Sequence, residues 1–191
     1  MAWTEEDKAF LNSFKQSPDN DDIRFKQRIK ETLLNNRYII HVLNNKELDE
    51  DEPDSYFNTV ILPYFVLEDT ITTVKNLICY EISFVNPINA YDKPDIMKKC
   101  QIIFNIVCDL ADIKEEETGI ARHDLLAALL IDQFNWTNIF GLQFKLVNDK
   151  PGMLGADLAS RTLIFEGMKP NSITQTRNGV TRVVNNDVRT R

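Results

Sequence analysis

The chain is poor in the residues that build reaction centres. Its 191 residues include two histidines (His41 and His123) and three cysteines (Cys79, Cys100 and Cys108), with no CxxC pair. That spacing excludes the common zinc frameworks, and an odd thiol count excludes a complete disulfide framework. Each cysteine sits in an apolar alternating run, where a buried, reduced thiol is expected. Glycine is scarce as well, at six residues. There is no GxxxxGKS/T phosphate loop, and no serine, cysteine or lysine stands in a glycine-rich elbow. No run approaches the ~18 consecutive apolar residues of a membrane span. The opening residues, Met1-Ala2-Trp3-Thr4-Glu5-Glu6-Asp7, are acidic and lack the apolar stretch of a secretory signal. The expectation is a protein assembled in a reducing cytoplasm, with no cofactor, no metal and no membrane partner.

What the chain does have is apolar residues and negative charge. Hydrophobic residues make up 43% of it, with 11 phenylalanines, enough for a packed core. Its length suits one domain with arms. The net charge of −7 is unevenly spread. From Met168 to Arg191 there are five cations (Lys169, Arg177, Arg182, Arg189 and Arg191) and one anion (Asp187), a net +4, so residues 1–167 carry −11. Gripping nucleic acid in general requires clustered Lys and Arg, which this acidic body does not offer in sequence.

Inside the basic end, Asn178-Gly179 lies between the β-prone runs Ile173-Thr174-Gln175-Thr176 and Val180-Thr181-Arg182-Val183-Val184. Such a dipeptide signals a two-residue hairpin, because both turn positions need φ > 0. A hairpin alone is marginal, and an acidic second copy of the chain would supply the surface it needs. Arg177, Asn178, Gly179, Arg182, Val183, Val184, Arg189 and Arg191 are therefore the candidate subunit contacts. The expected organisation is a short helix and linker over 1–20, a core domain over 21–167 and a basic arm over 168–191.

Along the chain, Thr4 and Asp7 form a capping-box pattern that opens a short helix with Phe10, Leu11 and Phe14 on one face. A second helix runs to about Asn35, with Phe25, Ile29 and Leu33 inward and Lys26, Lys30 and Glu31 in water. The period over Tyr38 to Leu43 fits either a helix or a strand. Glu47, Asp49, Glu50, Asp51, Glu52 and Asp54 crowd into a solvated acidic loop that lacks the central glycine of a calcium loop.

A strand is expected at Tyr64-Phe65-Val66-Leu67, with Thr70 to Val74 extending or turning it. Alternation then predicts strands over Ile78 to Phe84 and Cys100 to Cys108, paired antiparallel. Thr118-Gly119 should open the main helix, about Ile120 to Phe134, whose Leu126, Leu129, Leu130 and Phe134 face the sheet. Strands are expected at Leu142 to Leu146 and Arg161 to Glu166, flanking a long loop from Asn148 to Ala159. The fold class is α+β: an antiparallel or mixed sheet of about four to five strands, packed by a core helix, with N-terminal helices and an extended C-terminal arm.

Two apparent reaction centres weaken on inspection. Pro94-Asp95 followed by Asp112-Ile113-Lys114 imitates a PD-(D/E)xK magnesium nuclease. A ten-residue strand separates the two halves, however, and would hold them ~30 Å apart. His123-Asp124 are adjacent on a helix and point about 100° apart, so structural roles are expected, with Asp124 favouring the helix N-terminus. Trp3 and Trp136 read as packing anchors, since neither sits in a basic aromatic run.

The element order and several local motifs resemble the ring-forming head–tail junction proteins of tailed bacteriophages, most of all tail terminators. The terminator-like motif is Pro63-Tyr64-Phe65-Val66; Gly119-Ile120-Ala121-Arg122-His123-Asp124-Leu125, Phe140-Gly141-Leu142, Arg161-Thr162-Leu163-Ile164-Phe165-Glu166 and Lys169-Pro170-Asn171-Ser172 resemble neck-type proteins of phages of gut Firmicutes. The resemblance spans roughly residues 20–175. It implies a structural virion protein rather than an enzyme: a homohexameric ring that caps the tail tube, docks on the connector, and passes DNA through its lumen without specific binding. A neck, stopper, adaptor or sheath-contact role at the same junction is the alternative within that class, and a small magnesium-dependent nuclease the alternative outside it. An acidic body suits the ring, because like charge lets DNA slide.

Overall fold

A computed structural model describes residues 3–15, 21–66, 76–85, 97–170, 173–175 and 181–183. The helices are α1 (Glu5–Ser13), α2 (Asp21–Leu34), α3 (Arg37–Leu43) and α4 (Arg122–Phe134). The main sheet contains β1 (Ile61–Leu62), β2 (Leu77–Val85), β3 (Met97–Asp109), β4 (Lys145–Leu154) and β5 (Leu158–Pro170), in the order β1-β2-β3-β5-β4. β1 runs parallel to β2 and every other pair is antiparallel, so the sheet is mixed and the fold is α+β.

The alternating segment at Cys100 to Cys108 forms the middle of this sheet. Cys100, Ile102, Phe104, Ile106 and Cys108 are fully buried on one face. They meet Leu163 and Phe165 of β5 and the α4 residues Leu126, Ala127, Leu130 and Phe134 in one core. Phe104 packs against Phe134 at 4.9 Å and edge-on against Phe165 at 5.9 Å. Side chains of this size contribute about 1.5–3 kcal/mol each when fully buried. α2 adds Phe25, Ile29 and Leu33 to the same core, as its spacing predicts.

Between α2 and α4 lies α3, which settles the ambiguous stretch from Tyr38 to Leu43. Asn36 caps it by accepting from the Tyr38 and Ile39 amides, and Asn44 ends it at φ 47°. Ile39, Ile40, Val42 and Leu43 are buried, which accounts for an apolar run too dense to show a period.

Several expectations need correction. The strand near Pro63 lies before it: Ile61 and Leu62 are buried and paired with Ile78 and Cys79, whereas Tyr64 and Phe65 are exposed. Pro63 has no N–H for a ladder, so pairing stops there. Leu67 and the stretch from Thr70 to Val74 fall outside the described residues. Lys26 and Lys30 do not simply face water. Lys26 donates to the Pro63 carbonyl at 2.9 Å and pairs with Glu81 at 2.5 Å. Lys30 sits 4.4 Å from the Phe57 ring centroid and 3.6 Å from Asp54. Neither tryptophan is a packing anchor, since Trp3 is 64% and Trp136 58% exposed.

The loop expected over Asn148 to Ala159 is instead the tip of a long hairpin. β4 and β5 pair from Lys145↔Glu166 to Leu154↔Leu158, with a register shift between Leu146 and Asn148. Pro151 hid this strand in the sequence, because proline is tolerated only where the ladder does not need a donor. It faces Arg161 at the edge of the sheet. Pro151 cannot complete a hydrogen-bonded pair, so its nitrogen faces the open side, and that edge loses a donor. Gly167 on β5 permits the close crossing of residues 142–144: a Cβ there would meet Leu142 Cδ1 at 2.9 Å and the Gln143 carbonyl at 3.0 Å.

β5 continues through Met168–Pro170, paired with Lys99–Met97, so the first residues of the basic segment belong to the main sheet. Beyond it, β6 (Ile173–Gln175) and β7 (Thr181–Val183) pair antiparallel in a separate two-stranded sheet. Gln175 opposes Thr181, leaving five residues between them. A two-residue Asn178-Gly179 turn would instead place Gln175 opposite Arg182. The expected hairpin is present, but its register is one residue away from that turn.

Candidate functional site

The sequence-derived candidates among the described residues fall at separate places in the fold. Asp112 belongs to a partly buried polar clamp. It ends a short 3₁₀ turn, Leu110–Asp112, after β3, and its Oδ2 accepts from Asn44 Nδ2 at 2.7 Å and Asn76 Nδ2 at 3.3 Å. Arg122, at the first turn of α4 and only 4% exposed, donates from Nε to the Asp112 carbonyl at 2.9 Å. Its NH1 donates to the Val42 carbonyl at 3.3 Å. Asn76 also donates to the Leu43 carbonyl and accepts the Asp109 amide. The cluster joins the end of α3, the start of β2, the end of β3 and the start of α4. A buried charge persists only when paired and bonded on its remaining sides, as Arg122 is. The members of the cluster follow no periodic pattern in the chain. Asp95, the other half of the nuclease pattern, lies outside the described residues, and Asp112 already holds structural partners.

α4 begins at Arg122 rather than near Ile120, because a turn intervenes. Gly119 takes φ 71°, and its amide donates to the Glu115 carbonyl at 2.9 Å. The Glu115 carboxylate accepts from the Thr118 hydroxyl at 2.6 Å and from the Glu117 and Thr118 amides. Those bonds, the Thr118 hydroxyl foremost, draw its pKa down to about 2.

A second ionic cluster pins the β4–β5 hairpin to α4. Arg161 donates from Nε and NH2 to both oxygens of Asp149 at 2.7 Å, and from NH1 to Asp124. The guanidinium holds the Asp149 carboxyl below its ordinary range. Asp124 therefore does sit in the first turn of α4, and it also has a cross-element partner. His123 Nε2 lies 3.4 Å from Asp124 Oδ1, so the neighbours are within mutual reach after all, while His123 Nδ1 is buried without a hydrogen-bond partner. Cys79, Cys100 and Cys108 are all buried and unbridged, and burial pushes the Cys108 thiol up to about 12. Among the described residues no group of three or more His, Cys, Asp or Glu is placed to hold a metal ion.

The remaining candidates are surfaces. The loop carrying Glu47, Asp49, Glu50, Asp51, Glu52 and Asp54 is mostly exposed, as expected. Glu50 reaches His41 Nδ1 at 3.2 Å, and the Asp49 side chain accepts the Asp51 amide at 3.0 Å. Beside it, Tyr56 Oη is buried without a partner, and burial, with Glu50 and Asp49 adding to it, raises its pKa. In the basic segment, Arg182 and Val183 lie on β7, while Arg177, Asn178, Gly179, Val184, Arg189 and Arg191 fall outside the described residues. The sheet face away from the helices is a bonded polar layer around Ile103 and Ile164. There Gln101 and Lys99 both reach Glu166 at 2.6 Å, overcoming a burial penalty and leaving its pKa lowered.

Residues 17–167, from just before α2 to within three residues of the end of β5, match the YomW family. The chain belongs to the YomW family. No curated protein matches it. The YomW match takes in both ionic clusters, the acidic loop and the whole core. It stops short of α1 on one side and of the β6–β7 sheet on the other.

Proposed function

We propose that this YomW-family chain is a structural virion protein that assembles into a ring at the head–tail junction of a tailed bacteriophage, capping the tail tube as a terminator. The observation that carries the self-assembly part is β6–β7. Three-residue strands in a ribbon separate from the main sheet fall below what holds alone in water, so this hairpin needs another surface.

The charge split supplies the surface. A +4 segment meets a −11 body most favourably on a second copy, where complementary potentials steer and orient the contact. The exposed acids of 47–54 form the densest negative surface such an arm would meet. The sheet edges are poorer candidates, since β1 has two residues and β4 carries Pro151 and a register shift. The junction assignment itself draws on the resemblance of the motifs from Gly119 through Ser172.

Mass photometry of the full chain and of a variant ending at residue 170 tests the assembly. A discrete ring that disappears with the arm supports it. Localisation in purified particles tests the junction role: protein found at the neck supports it, and protein absent from particles overturns it.

A further inference from the structure

We infer that the arm of one copy locks onto the C-terminal end of α4 in the next, where Arg182 packs on Trp136 and pairs with Asp132. This names the receiving surface for the self-assembly reading above and rests on it.

Trp136 stands just beyond the end of α4 at φ 60°, left-handed backbone that helix ends usually give to glycine because it crowds a Cβ. Three bonds hold the chain in that shape. The Trp136 amide donates to the Phe144 carbonyl at 2.7 Å, and the Asn135 side chain accepts the Leu146 amide at 2.9 Å. The Thr137 hydroxyl donates to the Gln133 carbonyl at 2.8 Å. The indole fixed by these bonds is nonetheless 58% exposed. Strained backbone that presents a rigid tryptophan to water does little for the core. It is the form an interface anchor takes, since the side chain is ordered before contact.

The same end of α4 lacks a cation. A helix C-terminus carries the negative end of the macrodipole and favours Lys, Arg or His in its last turn. α4 has no basic residue there, and it has the acid Asp132 instead. Among the described residues, the Asp132 carboxylate accepts one bond, from its neighbour Gln133 at 3.3 Å. The Trp136 amide, which would serve the Asp132 carbonyl in a longer helix, goes to Phe144. Asp132 also lines an open cavity of about 570 Å³ with Thr32, Arg37, Tyr38 and Leu129. The cation in that wall is turned aside: Arg37 donates to the Tyr38 hydroxyl at 3.1 Å, and its guanidinium lies 4.9 Å from the Tyr38 ring centroid. A second guanidinium suits this end, because it stacks on an indole face while its edge bonds a carboxylate.

The arm carries that group. Arg182 lies within β7, opposite Thr174 of β6, so the hairpin presents it on a paired strand. The acidic loop at 47–54 is the rival seat, but several of its carboxylates are engaged: Glu50 with His41, Asp54 with Lys30, and Asp49 with the Asp51 amide. The loop attracts the arm at range, and the end of α4 fixes it.

Reversing charge on each side in turn provides the test. Full-length Asp132→Arg reverses the seat and full-length Arg182→Glu reverses the arm. Trp136→Gly removes the anchor and relieves the left-handed backbone, so it should fold as wild type does while associating poorly. Circular dichroism of each variant confirms the fold, and sedimentation velocity reads association across concentration. Each variant alone should associate about tenfold more weakly or worse. An equimolar mixture of Asp132→Arg and Arg182→Glu should recover wild-type association, because every contact is then matched again. Weakening without recovery on mixing overturns exchange between copies in favour of docking within one chain. Unchanged association in any of the three variants overturns the seat; if ending the chain at residue 170 still abolishes assembly, the arm docks elsewhere and the self-assembly reading stands. A wild-type chain that stays monomeric at every concentration overturns both.

Discussion

Arg122 and Asp112 are ten residues apart in the chain and joined twice, through the Asp112 carbonyl at 2.9 Å and its carboxylate at 3.4 Å from the same Nε. Removing the arginine leaves a half-buried carboxylate and the Val42 carbonyl short of a donor. Arg122→Ala should therefore cost about 2–4 kcal/mol, below the full range for a buried pair because the Asp112 carboxylate is partly exposed and keeps its Asn44 and Asn76 donors. Asp112→Asn keeps the Asn44 and Asn76 side chains within reach of an acceptor and should cost less. Urea unfolding of the two variants checks the order.

Arg161 holds two carboxylates from different elements. Its loss should free the β4–β5 hairpin from α4 rather than melt the core, because the partly exposed guanidinium joins β4, β5 and α4 at the edge of the core. Arg161→Leu should cost about 1–3 kcal/mol, between the values for exposed and buried pairs. Amide exchange should quicken across 145–154 and stay slow across β3.

Acid sensitivity follows from carboxylates whose folded pKa lies below the unfolded value. Glu115, at about 2, and Asp149 both bind protons more readily when unfolded. The stability they provide is complete above the ordinary carboxylate range of about 4 and is lost as pH falls through the folded values. The urea midpoint should drop between about pH 4.5 and 2. Thr118→Ala, which removes the strongest bond to Glu115, should flatten that decline.

Thiol chemistry should report the fold directly. With Cys79, Cys100 and Cys108 buried and the Cys108 thiol pushed up to about 12, native protein at pH 8 should resist an aromatic disulfide reagent. Three thiols should react in denaturant. Rapid labelling of the native chain would contradict the packing of β2 and β3.

Gly167→Ala puts a methyl group where Leu142 Cδ1 and the Gln143 carbonyl approach within 3.0 Å. The backbone oxygen cannot retreat as a side chain can, so about 1–3 kcal/mol of overpacking strain is expected. A lowered Tm is expected for this variant from crowding, and a lowered Tm for Gly141→Ala from backbone strain alone, since a Cβ there meets nothing within 4 Å but is held at φ 75°.

The legible parts of the fold were those with one buried face and a clean period. Alternation around Phe104 and the three-to-four spacing of Phe25, Ile29 and Leu33 located β2, β3 and α2, and the Thr4–Asp7 box located α1. β4 was legible only at its start, where the strand expected over Leu142 to Leu146 overlaps it at 145–146; beyond that, an edge strand with both faces largely in water has no apolar rhythm and Pro151 looks like a loop. The Arg122–Asp112 clamp was invisible for another reason: its partners Asn44 and Asn76 lie 68 and 36 residues from Asp112, and only the fold brings them together. Charge asymmetry along the chain was readable from composition.

Pro151 has a consequence for how the molecule behaves when crowded. A foreign β-strand approaching the outermost strand finds one rung without a donor in the middle of the ladder, close to where the strand already kinks. Extension of the sheet by another copy's strand is therefore disfavoured from that side.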